Sequence, residues 1–87
     1  MSAGTRAGAE AVRQVLCEVI DEILPGLDPD AITDSKSLRD LGADSVDRVE
    51  IITTLVRRLE RGDPLAVFAG IKDIGSLVAY LSEVRER

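Results

Sequence analysis

Apolar positions recur with helical spacing along most of this chain. From Ala9 the sequence places Val12, Val15, Leu16, Val19, Ile20, Ile23 and Leu24 in alternating steps of three and one. That spacing is one stripe of an α-helix. Glu10, Arg13, Glu18, Asp21 and Glu22 fall off the stripe, and Pro25-Gly26 predicts its end. Residues 25–43 carry no strong period and form a long connection, of a length that tends to be functional or internally structured. Within it Asp28-Pro29-Asp30 predicts a turn. Ser37-Leu38-Arg39-Asp40-Leu41-Gly42 can hold one helical turn with Ser37 as its cap, while Ile32, Leu38 and Leu41 can pin the loop to a core.

A second helix is expected from Asp44, whose side chain can cap the free N–H groups, with Asp47 completing a capping-box-like pair. Its apolar set, Val46, Val49, Ile51, Ile52, Leu55, Val56 and Leu59, is wider than one stripe. A helix in so small a domain cannot hide all of it, so part of the face is available to a partner. Gly62 is expected to end this helix. Asp63-Pro64 reads as an N-cap followed by proline at the first helical position. Leu65 to Gly70 is expected to be a short third helix anchored by Phe68. Asp73 then caps a fourth, with Ile74, Leu77, Val78 and Leu81 on its inner face. Nothing alternates with period two for long enough to make a strand. The predicted fold class is all-α: a four-helix bundle of three main helices and one short one, with a long loop between helices one and two. Residues 1–8 read as a flexible tail and 9–87 as a single domain.

Composition narrows the function. Eighty-seven residues make one domain with a small core and thin stability. Apolar residues are 45% of the chain, but there is one Tyr, one Phe and no Trp. The core must be aliphatic, and little is available to stack on bases. A net charge of −5 argues against DNA or RNA and suits basic partner proteins. The single cysteine, Cys17, allows no internal disulfide and fits a reducing cytoplasm; within an apolar helix it reads as a small buried hydrophobe. The chain has no His, which excludes His-based triads and His metal sites; no metal is expected. No run of 18 apolar residues exists, and the first residues lack the apolar stretch of a signal peptide. These features together predict a cytoplasmic monomer without nucleic-acid or membrane partners.

The segment with chemical content is Leu41-Gly42-Ala43-Asp44-Ser45-Val46-Asp47. Gly42 supplies a flexible turn before a helix. Ser45 falls at or near the first helical position, where its hydroxyl should face solvent. Unpaired N–H groups and partial positive charge at that end tolerate a phosphodiester on Ser45. Asp44, Asp47 and Glu50 surround the same end with carboxylates that can steer a basic modifying enzyme to the hydroxyl. A serine nucleophile is poorly supported, because with no His only Lys36, Lys72 or a carboxylate could serve as its base. From these residues alone an Asp-Ser pair can also be a plain helix cap, so an arm-free helical interaction adaptor stays open beside a modification site.

Gly42-Ala43-Asp44-Ser45-Val46-Asp47 closely resembles the Gly-x-Asp-Ser-Leu-Asp motif of acyl carrier proteins, with Val46 in the place of the usual Leu. The similarity runs over nearly the whole chain, in helix order and spacing. The resemblance implies a non-catalytic carrier with no catalytic residue of its own. It also implies a phosphopantetheinyl transferase that moves 4'-phosphopantetheine from coenzyme A onto Ser45, whose arm then holds acyl groups as thioesters.

A narrower resemblance is carried by three segments. They are residues 41–52, Pro64-Leu65-Ala66-Val67-Phe68-Ala69-Gly70 and Asp73-Ile74-Gly75-Ser76-Leu77. They look like the free-standing donor carriers of polyketide β-branching cassettes. Those carriers are served by an acyltransferase and a decarboxylating ketosynthase. They deliver an acetyl unit to a hydroxymethylglutaryl-synthase (HMG-synthase)-like enzyme. Acceptor carriers in such systems bear a flagging Trp, which this chain lacks.

Fatty-acid carriers have acidic residues in the later second helix and early third. Here those positions are Val56-Arg57-Arg58 and Leu65-Ala66-Val67. The expected partner-recognition set is accordingly Asp44, Val46, Asp47, Arg48, Val49, Glu50, Thr53, Val56 and Phe68. Arg57, Arg58 and Arg61 are otherwise a solvated helix end favoured by the dipole. A general polyketide or fatty-acid carrier and a peptidyl carrier are the neighbouring alternatives, although Asp44 and Asp47 disfavour the latter.

Overall fold

The protein is described by a computed structural model over residues 8–82. Of the tail expected over 1–8, residues 1–7 lie outside the described residues, as does the end of the expected domain, 83–87. Among the described residues there are three α-helices: α1 (Ala9–Ile23), α2 (Ser45–Arg58) and α3 (Ile74–Ser82). A 3-10 helix spans Leu65–Gly70, and a single 3-10 turn spans Pro29–Ala31 within the long α1–α2 connection. Among the described residues there is no strand, so the all-α four-helix arrangement is the one observed.

α1 packs against both α2 and α3, and the 3-10 helix packs against α2. The α1 stripe explains this. Val12, Leu16, Val19 and Ile20 are completely buried, while Val15, Ile23 and Leu24 close its edges. α2 contributes Ile51 and Leu55, α3 contributes Ile74, Leu77, Val78 and Leu81, and Phe68 enters from the 3-10 helix. The core is almost wholly aliphatic. Its aromatic contact is Phe68 against Tyr80, edge to face with centroids 5.6 Å apart. Cys17 is half-buried against the core.

The long connection is docked rather than loose. Arg13 of α1 donates to the carbonyl of Ile32 (3.3 Å) and pairs with Asp34. At its other side, the Ile74 and Gly75 N–H groups of α3 donate to the carbonyls of Lys36 (2.8 Å) and Asp34 (3.0 Å). A Cβ at Gly75 would stand 3.0 Å from the Cβ of Asp34, so the absence of a side chain there permits the approach.

Three expectations need correction. The third helix is of the 3-10 type and starts at Leu65; Pro64 is still extended (φ −72°, ψ 150°). A six-residue segment after an extended proline is too short to hold a stable α-helix by itself, and short connecting pieces often take 3-10 geometry. Asp63 does not cap this helix. Its carboxylate is held by Arg61 (2.6 and 3.0 Å) and by the Tyr80 hydroxyl (2.6 Å). Finally, the left-handed residue that closes α2 is Glu60 (φ 56°), not Gly62. The Arg61 N–H reaches the Val56 carbonyl and the Glu60 N–H reaches that of Arg57, which is a Schellman closure.

The basic end of α2 is also less solvated than expected. Arg58 pairs with Glu22 of α1, and Arg61 is engaged by Asp63; Arg57 is exposed.

Candidate functional site

Two successive local motifs position Ser45. In the first, the Ser37 N–H donates to Asp40 and the Asp40 N–H donates to the Ser37 hydroxyl, both at 3.0 Å. This reciprocal cap starts one helical turn, as the sequence predicts for Ser37. The turn ends with Ala43 N–H on the Leu38 carbonyl and Gly42 N–H on that of Arg39. Gly42 takes φ 104° there, a conformation that costs a residue with a Cβ. Leu38 and Ala43, the two apolar residues of this closure, are buried. They anchor the chain just before the second motif.

In the second motif the Asp47 N–H donates to the Asp44 carboxylate (2.8 Å), and the Asp44 N–H donates to Asp47 (3.3 Å). This is the expected capping box. Ser45 is thereby the first residue of α2, and it is exposed. The Asp44 side chain satisfies the Asp47 N–H, while those of Ser45 and Val46 have no acceptor within the helix by its geometry.

Beside Ser45 lies a groove of about 640 Å³, between the 37–39 turn, the first half of α2, the 3-10 helix and the start of α3. Ile52, Phe68 and Leu77 are among its apolar lining, and Ser45 is also among the residues that line it. The volume is in the range of small-molecule sites.

The remaining residues expected to meet partners fall into three groups. Val46 is 72% and Val49 50% exposed, and Asp44, Arg48, Glu50 and Thr53 are exposed with them. The Thr53 hydroxyl donates back to the Val49 carbonyl (2.6 Å), a common resting place for a helical threonine. Asp47 and Val56 are half-buried, and Phe68 is buried at 4% exposure. Phe68 therefore contributes to the groove from within rather than to an outer contact face. The sequence points to Leu65 only within the non-acidic 65–67 stretch and does not mark Arg39 or Lys72 for this site, yet all three line the same groove. They come from three separated segments, and no local pattern brings them together.

A family model described as a phosphopantetheine attachment site matches residues 10–81. The chain belongs to this family of acyl carrier proteins. It is 40% identical over 72 residues to the polyketide biosynthesis acyl-carrier-protein AcpK of Bacillus subtilis (strain 168), covering 83% of this chain and 88% of that one. An acyl carrier protein of Clostridium perfringens (strain SM101 / Type A) is 36% identical over 72 residues, covering 83% and 95%. The meromycolate extension acyl carrier protein of Mycolicibacterium smegmatis (strain ATCC 700084 / mc(2)155) is 32% identical over 81 residues, covering 92% and 81%. No solved structure matches the chain.

An acyl carrier protein bears a covalent 4'-phosphopantetheine, whose terminal thiol supplies the thioester that holds the acyl group. The geometry fits such a group. An exposed hydroxyl stands at a helix N-terminus that tolerates an anion, with open space along one side. Among the described residues no helix is long and apolar enough to cross a membrane.

Proposed function

We propose that Ser45 is the attachment residue and that the protein works by tethering, without catalysis of its own. The observation that carries this reading is the position of Ser45: exposed, first in α2, held there by the Asp44–Asp47 box, and lining the groove. In the modification the Ser45 Oγ forms a bond to the β-phosphorus of coenzyme A. The bond from that phosphorus to the bridging oxygen breaks, 3',5'-ADP leaves, and the serine proton passes to a base of the phosphopantetheinyl transferase. Asp44 and Glu50 are exposed at the start of α2 and available to steer that basic enzyme. Once attached, the arm raises the effective concentration of the acyl group at each partner.

Incubation with coenzyme A and a broad-specificity phosphopantetheinyl transferase should add the mass of one phosphopantetheine. Ser45→Ala, a change at an exposed position, should add none. A gain that persists in this variant would falsify the assignment.

The finer reading is a cytoplasmic donor carrier that supplies an acetyl unit to an HMG-synthase-like enzyme for polyketide β-branching. An acyltransferase would load it, and a decarboxylating ketosynthase would convert its malonyl cargo to acetyl. Support comes from the likeness to a polyketide biosynthesis carrier and from the exposed α2 face. There Val46 and Val49 stand beside Arg48 instead of a purely acidic surface. Acetyl-loaded protein should be consumed by such a synthase, while an unrelated fatty-acid carrier should not replace it. Equal turnover of the two would leave a general polyketide or fatty-acid carrier as the better description.

A further inference from the structure

We propose that the groove beside Ser45 binds the terminal carboxylate of a malonyl group on the protein's own arm, with Arg39 and Lys72 as the side chains that hold it. The inference rests on the attachment at Ser45 and concerns which cargo the protein itself can recognise.

Basic side chains outnumber acidic ones in the lining of the groove. In a chain of net charge −5, its lining contains Arg39, Arg48 and Lys72. Among the described residues none of these three forms an ion pair, whereas Arg13, Arg58 and Arg61 each do. The lining contains one carboxylate, Asp73. Its Oδ1 already accepts the N–H of Ser76 (2.7 Å) at the start of α3. The lining is thus left net positive. Arg48 stands three residues after Ser45, on the same side of α2, where it can neutralise the phosphodiester of the arm. Arg39 and Lys72 belong to other segments and can meet the far end of the cargo; Arg39 feels the Asp40 carboxylate beside it but forms no close ion pair with it.

The rest of the groove suits the same ligand. Ile52, Phe68 and Leu77 offer an apolar wall to the pantetheine chain and its thioester, and they strengthen a nearby charge contact by excluding water. Exposed ion pairs are individually weak. A tethered ligand needs only weak affinity, because its effective concentration at the groove is of millimolar order.

The charge also makes the site sensitive to the chemistry of the cargo. Decarboxylation breaks the bond between the malonyl methylene carbon and its carboxylate, releases carbon dioxide and leaves an enolate carbon that takes up one proton. The resulting acetyl thioester has no anion for Arg39 and Lys72. Malonyl cargo is retained at the groove, and acetyl cargo is released to the next enzyme.

The test loads the protein directly from malonyl- or acetyl-coenzyme A with a broad-specificity phosphopantetheinyl transferase, with the free-thiol arm as reference. Loading is verified by mass before and after amide NMR spectra are recorded. The malonyl form should show shifts at Arg39, Lys72 and Ile74 that the acetyl and free-thiol forms lack. These shifts should shrink in high salt and vanish in the double variant R39Q/K72Q, whose spectrum also reports whether it is folded. Identical spectra for malonyl and acetyl forms, or malonyl shifts that survive in the double variant, overturn the proposal. Absence of any mass gain overturns the attachment itself and this inference with it; a mass gain without malonyl-specific shifts overturns the inference alone.

Discussion

At the scale of single residues, the protein closes two helical segments with the same hydrogen-bond pattern but different chemistry. The 37–42 turn ends on Gly42 at φ 104°, and α2 ends on Glu60 at φ 56°. A residue with a Cβ pays about 1 kcal/mol in the left-handed region, which glycine escapes. Glu60 is exposed. Glu60→Gly should therefore stabilise the protein by about 0.5–1 kcal/mol. Urea unfolding should show a higher midpoint with an unchanged slope. The contrast also explains why Gly62 is misleading in the sequence. Glycine is the usual helix-closing residue, but here the Schellman bonds form two residues earlier.

At the scale of elements, the cluster of Arg61, Asp63 and Tyr80 joins the end of α2 to α3. Arg61 donates through two nitrogens to Asp63, reaches the Leu81 carbonyl (3.1 Å) and lies 5.3 Å from the centre of the Tyr80 ring. Tyr80 in turn packs on Phe68, so the cluster also fixes the 3-10 helix that borders the groove. The Arg61 hydrogen bonds, with that from Tyr80 and against the opposing effect of burial, hold the Asp63 carboxyl at about 2. Its folded pKa thus lies below the unfolded one. The stability it contributes is complete above the ordinary carboxylate range and is lost as the pH falls through 4 towards 2. Asp63→Asn should be less stable than the parent at neutral pH and should lose less further stability over that acid interval. Denaturant midpoints measured at pH 7, 4 and 2.5 for both proteins would check this; parallel pH curves would refute it.

At the scale of the whole molecule, a single aliphatic core carries all four helical elements. Leu16 is completely buried at the centre of the α1 stripe. Leu16→Ala should cost about 3 kcal/mol. That is a large share of the roughly 5–15 kcal/mol available to a small domain. Thermal unfolding monitored by circular dichroism should show a strongly lowered midpoint or a chain unfolded at room temperature. Ser45→Ala, at an exposed position, should melt like the parent.

What the sequence determined by itself is local. The α1 stripe, the capping box around Ser45, the Ser37–Asp40 turn and the helical spacing of α3 each lie within a few consecutive turns. Periodicity and caps are interactions between near neighbours, so they are legible without the fold. The family motif around Ser45 is legible for the same reason. What tertiary structure alone decided depends on partners distant in the chain. Asp63 reads as an N-cap until Tyr80 from α3 reaches it. Phe68 reads both as the anchor of the short helix and as a candidate contact residue, and its burial in the fold decides for the anchor. Arg39, Ser45 and Lys72 share a groove only because the connection, α2 and the approach to α3 converge around it. The burial and electrostatic field of a side chain are set by whichever segments pack beside it, and that information is not stored at any one position in the chain.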